Sequence, residues 1–273
     1  MRVRQLVMVG VMVALPLVSL SAQRFWRTAD DEGMVALDVA KPFFKSGSDI
    51  SFGSIAVIAS GRFPVNQKVS ITVGIPYATI SYRHDDGFDQ PGSTAIGNPW
   101  IGADVVAAPS VVFEGGLRPG ISSGDLSHFD ATALGVFADF QRFEEWAPKT
   151  TSARAMLHLG NVPEHGTFVS GLVGGTYIFS SRGSDAQIYA NYAVRLGVAE
   201  SGILTSLIGS GLTYLGSNGA GGSLGDKTDL QLAVRVEGSN GRLRPFAELG
   251  TFTQESIRDD VKAIVTIGAS VKY

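Results

Sequence analysis

The last twelve residues, Lys262 to Tyr273, read KAIVTIGASVKY. Ala263, Val265, Ile267, Ala269, Val271 and Tyr273 alternate there with Lys262, Thr266, Gly268, Ser270 and Lys272. Alternation with period two puts the two sets on opposite faces of an extended strand. The pattern recurs along the chain. Val69, Ile71, Val73, Ile75 and Tyr77 alternate with Ser70, Thr72 and Gly74. Ile188, Ala190, Tyr192, Val194, Leu196 and Val198 alternate with Gln187, Asn191 and Arg195, and Leu230 to Val236 with Asp229 to Glu237. Shorter runs lie at 35–39, 55–60, 101–105, 111–118 and 153–159, and less regular ones at 167–179, 203–215 and 242–254, which makes twelve candidate strands.

The N-terminus predicts export. Arg2 and Arg4 precede an apolar run from Leu6 to Leu20 and the small residues Ser19, Ser21 and Ala22. This is the composition of a secretory signal peptide over 1–22, cleaved between Ser21 and Gln23. Pro16 and the small-residue exit argue against a membrane anchor, and with no cysteine there is neither a lipoprotein anchor nor a disulfide. No later segment approaches ~20 uninterrupted apolar residues. A mature chain in a membrane must therefore cross as strands closed into a barrel, since lipid tolerates no unpaired backbone groups. The domain reading is a leader over 1–22, a short periplasmic segment over 23–33 and a barrel over 34–273. Without Arg2 and Arg4, 20 basic residues face 25 acidic ones. That balance offers no nucleic-acid-binding face.

The connections support the count. Long links at about 41–51, 84–94, 121–151, 180–185, 216–227 and 255–261 alternate with short ones at 64–67, 108–109, 161–166, 199–202 and 238–241. Transmembrane barrels pair long external loops with short periplasmic turns, and an even strand number leaves both termini on the periplasmic side. The expected fold is all-β: an antiparallel up-and-down barrel of twelve strands, with ten or fourteen left open by the short link at 180–185. Asp130 to Trp146 departs from the pattern. Asp130 is placed as an N-cap, Ala133, Phe137 and Phe140 follow at helical spacing, and Pro148 lies just beyond. This predicts a short helix in the third external loop, either inside the barrel mouth or on its rim.

The polar faces of the strands carry Asp38, Arg62, Asp104, Glu114, Arg118, Arg154, Arg195, Asp229, Arg235, Glu237, Arg244 and Glu248. Six acids against six arginines allow two readings: a lattice of ion pairs stiffening the interior, or a charged channel guiding a polar solute. Tyr77, Tyr82, Trp100, Tyr177, Phe179, Tyr189, Tyr192, Tyr214 and Tyr273 lie near predicted strand ends, as in interfacial aromatic girdles.

Candidate chemistry is sparse. His84, Asp85, Asp86 and Asp89 open the second external loop, but they lack the closing bidentate Glu of a calcium loop and read as a solvated turn. Of the other histidines, His158 falls on an interior face, His165 in a periplasmic turn and His128 in a serine-rich loop. There is no G-x-S-x-G or H-E-x-x-H motif. Gly216 to Gly225 lacks G-K-[ST] and reads as a flexible loop. No cofactor, metal site or enzymatic activity is expected.

Gly74-Ile75-Pro76-Tyr77, Ala95-Ile96-Gly97-Asn98-Pro99-Trp100-Ile101-Gly102-Ala103, Leu243-Arg244-Pro245-Phe246-Ala247-Glu248-Leu249-Gly250 and the terminal aromatic strand resemble bacterial outer-membrane β-barrels, transporter-like ones linked to the meta-pathway of phenol degradation above all. That group typically opens its fourth strand with a Gly-Ile-Gly-Asp or Gly-Asn segment, and the Asp often found after Gly97 is Asn98 here. The resemblance implies residence in a Gram-negative outer membrane and passive passage of small, aromatic or hydrophobic compounds. It implies that Tyr273 acts as the assembly signal read by barrel-insertion machinery. The alternatives are a closed structural or surface-interaction barrel and, least of all, a surface hydrolase.

Overall fold

A computed structural model describes residues 32–44, 50–84, 89–124, 138–179, 185–216, 227–238, 241–258 and 261–273. The expected leader, the segment 23–31 and the middle of each expected long connection lie outside the described residues.

Fourteen strands follow in chain order. They are β1 (Met34–Phe44), β2 (Ile50–Pro64), β3 (Val69–His84), β4 (Asp89–Ile96), β5 (Trp100–Ala108), β6 (Val111–Arg118), β7 (Ser123–Gly124), β8 (Ser152–Leu159), β9 (Gly166–Ile178), β10 (Gln187–Glu200), β11 (Ile203–Tyr214), β12 (Thr228–Gly238), β13 (Phe246–Phe252) and β14 (Val261–Lys272). Every pairing is antiparallel. Both β4 and β5 pair with β3, so they are one wall strand interrupted at Gly97–Pro99. Next to them, β6 pairs with β5 and the two-residue β7 with β4, so this strand too is interrupted, between Arg118 and Ser123. β1 pairs with β14 on one side and β2 on the other, which closes the ring. The wall is therefore twelve strands around, the number expected from alternation.

Strands run well past their alternating cores. β2 has 15 residues and β3 has 16. Composition alone hid these extensions, because an extended backbone needs only its neighbour's hydrogen bonds to continue.

Polarity is inverted relative to a water-soluble domain. Ile55, Ile75, Ile101, Phe113, Leu207 and Leu249 stand exposed on the outer face, with Ile101 at 57% and Leu249 at 56%. Asp38, Asp104, Asn191, Arg195, Glu237 and Ser270 are buried inside at 1% exposure or less. A continuous apolar exterior of this kind is stable only against lipid.

Two aromatic positions lock the wall. Trp100 leaves no room for a side chain at Gly102 or Gly116, where a Cβ would fall 2.5 Å and 2.6 Å from its ring. Its indole N–H donates to Thr72 Oγ1 at 2.8 Å. At the seam, Tyr273 N donates to Gly33 O at 3.0 Å. The Tyr273 ring covers Gly33, and its hydroxyl donates to Arg62 O at 3.4 Å. Aromatic cover of strand glycines restores packing that glycine lacks.

The girdle reading needs correction at three positions. Tyr177 and Phe179 are outward, packed edge to face with centroids 5.0 Å apart. Trp100, by contrast, is buried inside the wall. Tyr189 and Tyr214 share the inward parity of Asn191 and Leu212, and their rings lie 5.3 Å apart. Position near a strand end does not set the face; parity does.

Candidate functional site in the barrel lumen

The lumen is occupied by a connection. The described part of the expected 130–146 helix is a 3-10 helix, Phe140–Glu145, with non-helical backbone at Arg142 (φ −136°, ψ 35°). Residues 130–137 lie outside the described residues. Of the two placements open from sequence, the segment takes the inner one. Phe140, Gln141, Glu144, Glu145 and Trp146 are all buried.

Its contacts reach across the barrel. Trp146 and Ala138 pack with Ala40, Ala56, Ile58, Ala78 and Ile80 of β1, β2 and β3. Phe140 packs with Leu212, Phe252, Val261 and Ile264, edge to face with Phe252 at 5.6 Å. The Phe143 ring lies 4.8 Å from that of Tyr189. Gln141 Nε2 donates to Gly211 O at 2.8 Å. Gln141 O in turn accepts from Arg154 Nη1 at 2.7 Å and Asn191 Nδ2 at 3.1 Å.

Two acids of the segment meet two wall arginines. Arg118 Nη2 donates to Glu145 Oε1 at 2.6 Å. Glu144 Oε1 lies 3.4 Å from Arg118 Nε and 3.8 Å from Arg154 Nη1. Removing four charges from water is expensive, and only mutual pairing makes it tolerable.

The interruption at Gly97–Pro99 receives the far end of the segment. Asn98 N donates to Glu145 O at 2.6 Å. Asn98 Nδ2 donates to Ala147 O at 2.7 Å and reaches Glu144 O and Thr150 O, each at 3.2 Å. Asn98 Oδ1 accepts from Ser122 N, and Asn98 O from Arg118 Nη1. A Cβ on Gly97 would sit 2.4 Å from Glu145 O, so this close approach requires glycine.

The remaining expected interior charges form separate groups. Arg62 Nε lies 3.2 Å from Asp104 Oδ2, and His158 Nε2 3.0 Å from Glu114 Oε2. Glu237 Oε2 lies 3.5 Å from Arg195 Nη2 and 3.1 Å from Arg235 Nε, and Arg235 Nη1 is 3.4 Å from Glu248 Oε2. The Arg235 guanidinium also covers the Phe246 ring at 3.6 Å. Asp38 is fully buried, whereas Asp229 and Arg244 are half-buried. Arg244 lies outside the regular strands, its backbone paired to Ser270. The side chains of His84 and Asp89, and the whole of Asp85, Asp86 and His128, lie outside the described residues.

A cavity of about 80 Å³ remains between the segment and the wall, bordered by Asp38, Asp139, Gln141, Gln231, Arg235 and Glu248 among others. Sequence reasoning missed Asn98, Gln141, Glu144, Glu145 and Asn191 as a set. Parity along a strand cannot assign residues of a connection, and the available signal was the Gly-Asn-Pro break in the fourth wall strand.

The closed antiparallel wall and its apolar exterior define a transmembrane β-barrel of the bacterial outer-membrane type. An outer membrane channel from Pseudomonas putida F1 superposes with a TM-score of 0.60 at 8% identity, over 93% of this chain and 100% of that one. The translocator domain of the autotransporter NalP from Neisseria meningitidis gives 0.52 at 8%, covering 99% and 94%. The β domain of the Bordetella autotransporter BrkA gives 0.51 at 11%, covering 89% and 100%. At these identities the likeness is one of fold. No family model and no curated protein matches the chain.

Proposed function

We propose that the barrel allows passive passage of small solutes across the outer membrane, through a lumen narrowed by the 138–150 segment. The observation that carries this reading is the source of the occlusion. A barrel of this size is wider than eight-stranded barrels that wall side chains fill unaided. Here the space is taken up by a connecting segment and not by the side chains of the wall alone. Small aromatic compounds belong to the proposal, supported by the ring faces of Phe143, Tyr189 and Tyr214 beside the segment. Tyr273, over Gly33 at the closing seam, is proposed as the assembly signal read by barrel-insertion machinery.

The test is single-channel conductance in planar bilayers, with swelling of proteoliposomes in a neutral sugar and in an aromatic carboxylate. Discrete steps, enlarged when 139–143 is replaced by a glycine–serine linker, are expected. Silence from both folded proteins overturns the reading. It would favour the second one, a closed barrel stiffened by ion pairs, which the buried Arg195–Glu237–Arg235 group supports.

A further inference from the structure

We infer that Arg235, stacked flat on the Phe246 ring, closes the lumen on the periplasmic side and determines the size and charge of what leaves it. The inference rests on the passage reading and adds a second constriction below the one made by the 138–150 segment.

Wall side chains close the barrel at this level. Arg195, Ser206, Arg235 and Glu237 have inward parity, yet none is more than 5% exposed. An interior filled to that degree holds no continuous column of water. The cavity of about 80 Å³ is thus a chamber, with residues 138–141 on one side and wall side chains on the others. Its floor is Arg235 on Phe246. Both border the chamber, and the guanidinium lies 3.6 Å from the ring centroid. Arg235 Nε donates to Glu237 Oε2 at 3.1 Å, and Nη1 to Glu248 Oε2 at 3.4 Å. Glu237 does not border the chamber and is shared with Arg195, so Arg235 joins the chamber to the ion pairs beneath it. Gly238 ends β12 at a short connection, which places the stack toward the periplasmic end.

The closure has little bulk behind it. Phe246 pairs with Gly268 of β14, where a Cβ would fall 2.5 Å from its ring. One step toward the periplasm, the inward positions of β14 and β1 are Ser270 and Ala36, paired with each other. Ala36 packs on Phe246. Arg244, its backbone paired to Ser270, is half-buried at the rim. Side chains this small cannot fill the lumen, so the ring and the guanidinium do. Turning them aside takes side-chain rotations and leaves the backbone bonds of the wall and the segment in place. The guanidinium repels cations at this level, and its removal leaves Glu237 and Glu248 to face the path.

The chain has no cysteine, so Thr266→Cys, on the chamber wall, is a unique reporter. The measurement is its rate of reaction with a small cationic methanethiosulfonate in lipid nanodiscs, beside single-channel conductance of the same proteins. Arg235→Ala is expected to speed the reaction about tenfold, the equivalent of one bond to a charged group lost from the closed state, and to strengthen the preference for cations. Phe246→Leu leaves every charge in place and is expected to speed it about threefold, as for one lost cation–π contact. Gln231→Ala, on the chamber but away from its floor, is expected to leave the rate unchanged. Unchanged rates in both floor variants, each with the electrophoretic mobility of the folded protein, overturn the closure, and so does equal acceleration by Gln231→Ala. Conductance separates the two readings. Faster reaction without any conductance leaves the closure standing and sinks passage. Conductance that rises at an unchanged reaction rate sinks the closure and leaves passage standing.

Discussion

Asn98 Nδ2 donates to Ala147 O at 2.7 Å, joining the interruption of the fourth wall strand to the segment that fills the lumen. Neither residue lies in a strand or helix, and the wall break falls where this bond is made. An aspartate here would face the same carbonyls with acceptors only.

Asn98→Asp is therefore expected to destabilise the barrel by ~2–4 kcal/mol, since buried carbonyls lose their donor and meet a carboxylate. The shift of the heat-modifiable band on cold electrophoresis should move to lower temperature. An unchanged transition would show that Asn98 does not anchor the segment.

Arg118→Met leaves Glu144 and Glu145 buried without their nearer cation, a loss of ~3–5 kcal/mol by the usual cost of breaking a buried pair. Combining it with Glu145→Gln should recover part of that loss, with a coupling of ~1–3 kcal/mol. Urea unfolding in lipid vesicles measures both, and strict additivity would refute the pairing.

Gly102→Ala places a Cβ 2.5 Å from the Trp100 ring and 2.7 Å from Gly115 O, so the wall must shift. Gly209→Ala meets only Leu232 Cδ2, at 3.7 Å. The first is expected to cost ~1–3 kcal/mol, as overpacking does, and the second less than ~1 kcal/mol. Thermal unfolding of the two variants side by side decides it.

Among the described residues, the cavity beside the segment is bordered by Asp38, Asp139 and Glu248 but a single arginine, Arg235. Conductance is accordingly expected to prefer cations over anions by a few-fold, and Asp139→Asn with Glu248→Gln to abolish that preference. Reversal potentials under a salt gradient report it, and a wild-type anion preference would place the path elsewhere.

Tyr273→Ala removes the ring that covers Gly33 at the β1–β14 seam. Assembly into membranes is expected to fall several-fold, read as the folded fraction in isolated outer membranes. Recovery by Phe and not by Leu would assign the effect to the aromatic ring.

The wall was legible because strand parity is a local property. Val69 to Tyr77 and Asp229 to Glu237 announce their lipid and interior faces residue by residue, and twelve such runs with alternating long and short links determined the barrel. What alternation could not reach was anything decided between elements. Glu144 and Glu145 look like the solvent face of a loop helix until Arg118 and Arg154 are seen opposite them. Tyr189 and Tyr214 look interfacial until their parity is matched to Asn191 and Leu212.

By itself, then, the chain's periodicity determined a closed, membrane-spanning, charge-lined cylinder, because lipid outside and hydrogen-bonded backbone within leave few other solutions. Only the tertiary structure decided that this cylinder is filled. The 138–150 segment enters because Gly97 allows its backbone near, Asn98 binds its carbonyls and buried arginines need its acids. Asn98 lies 46 to 52 positions along the chain from the carbonyls its side chain binds, and only the fold brings them together.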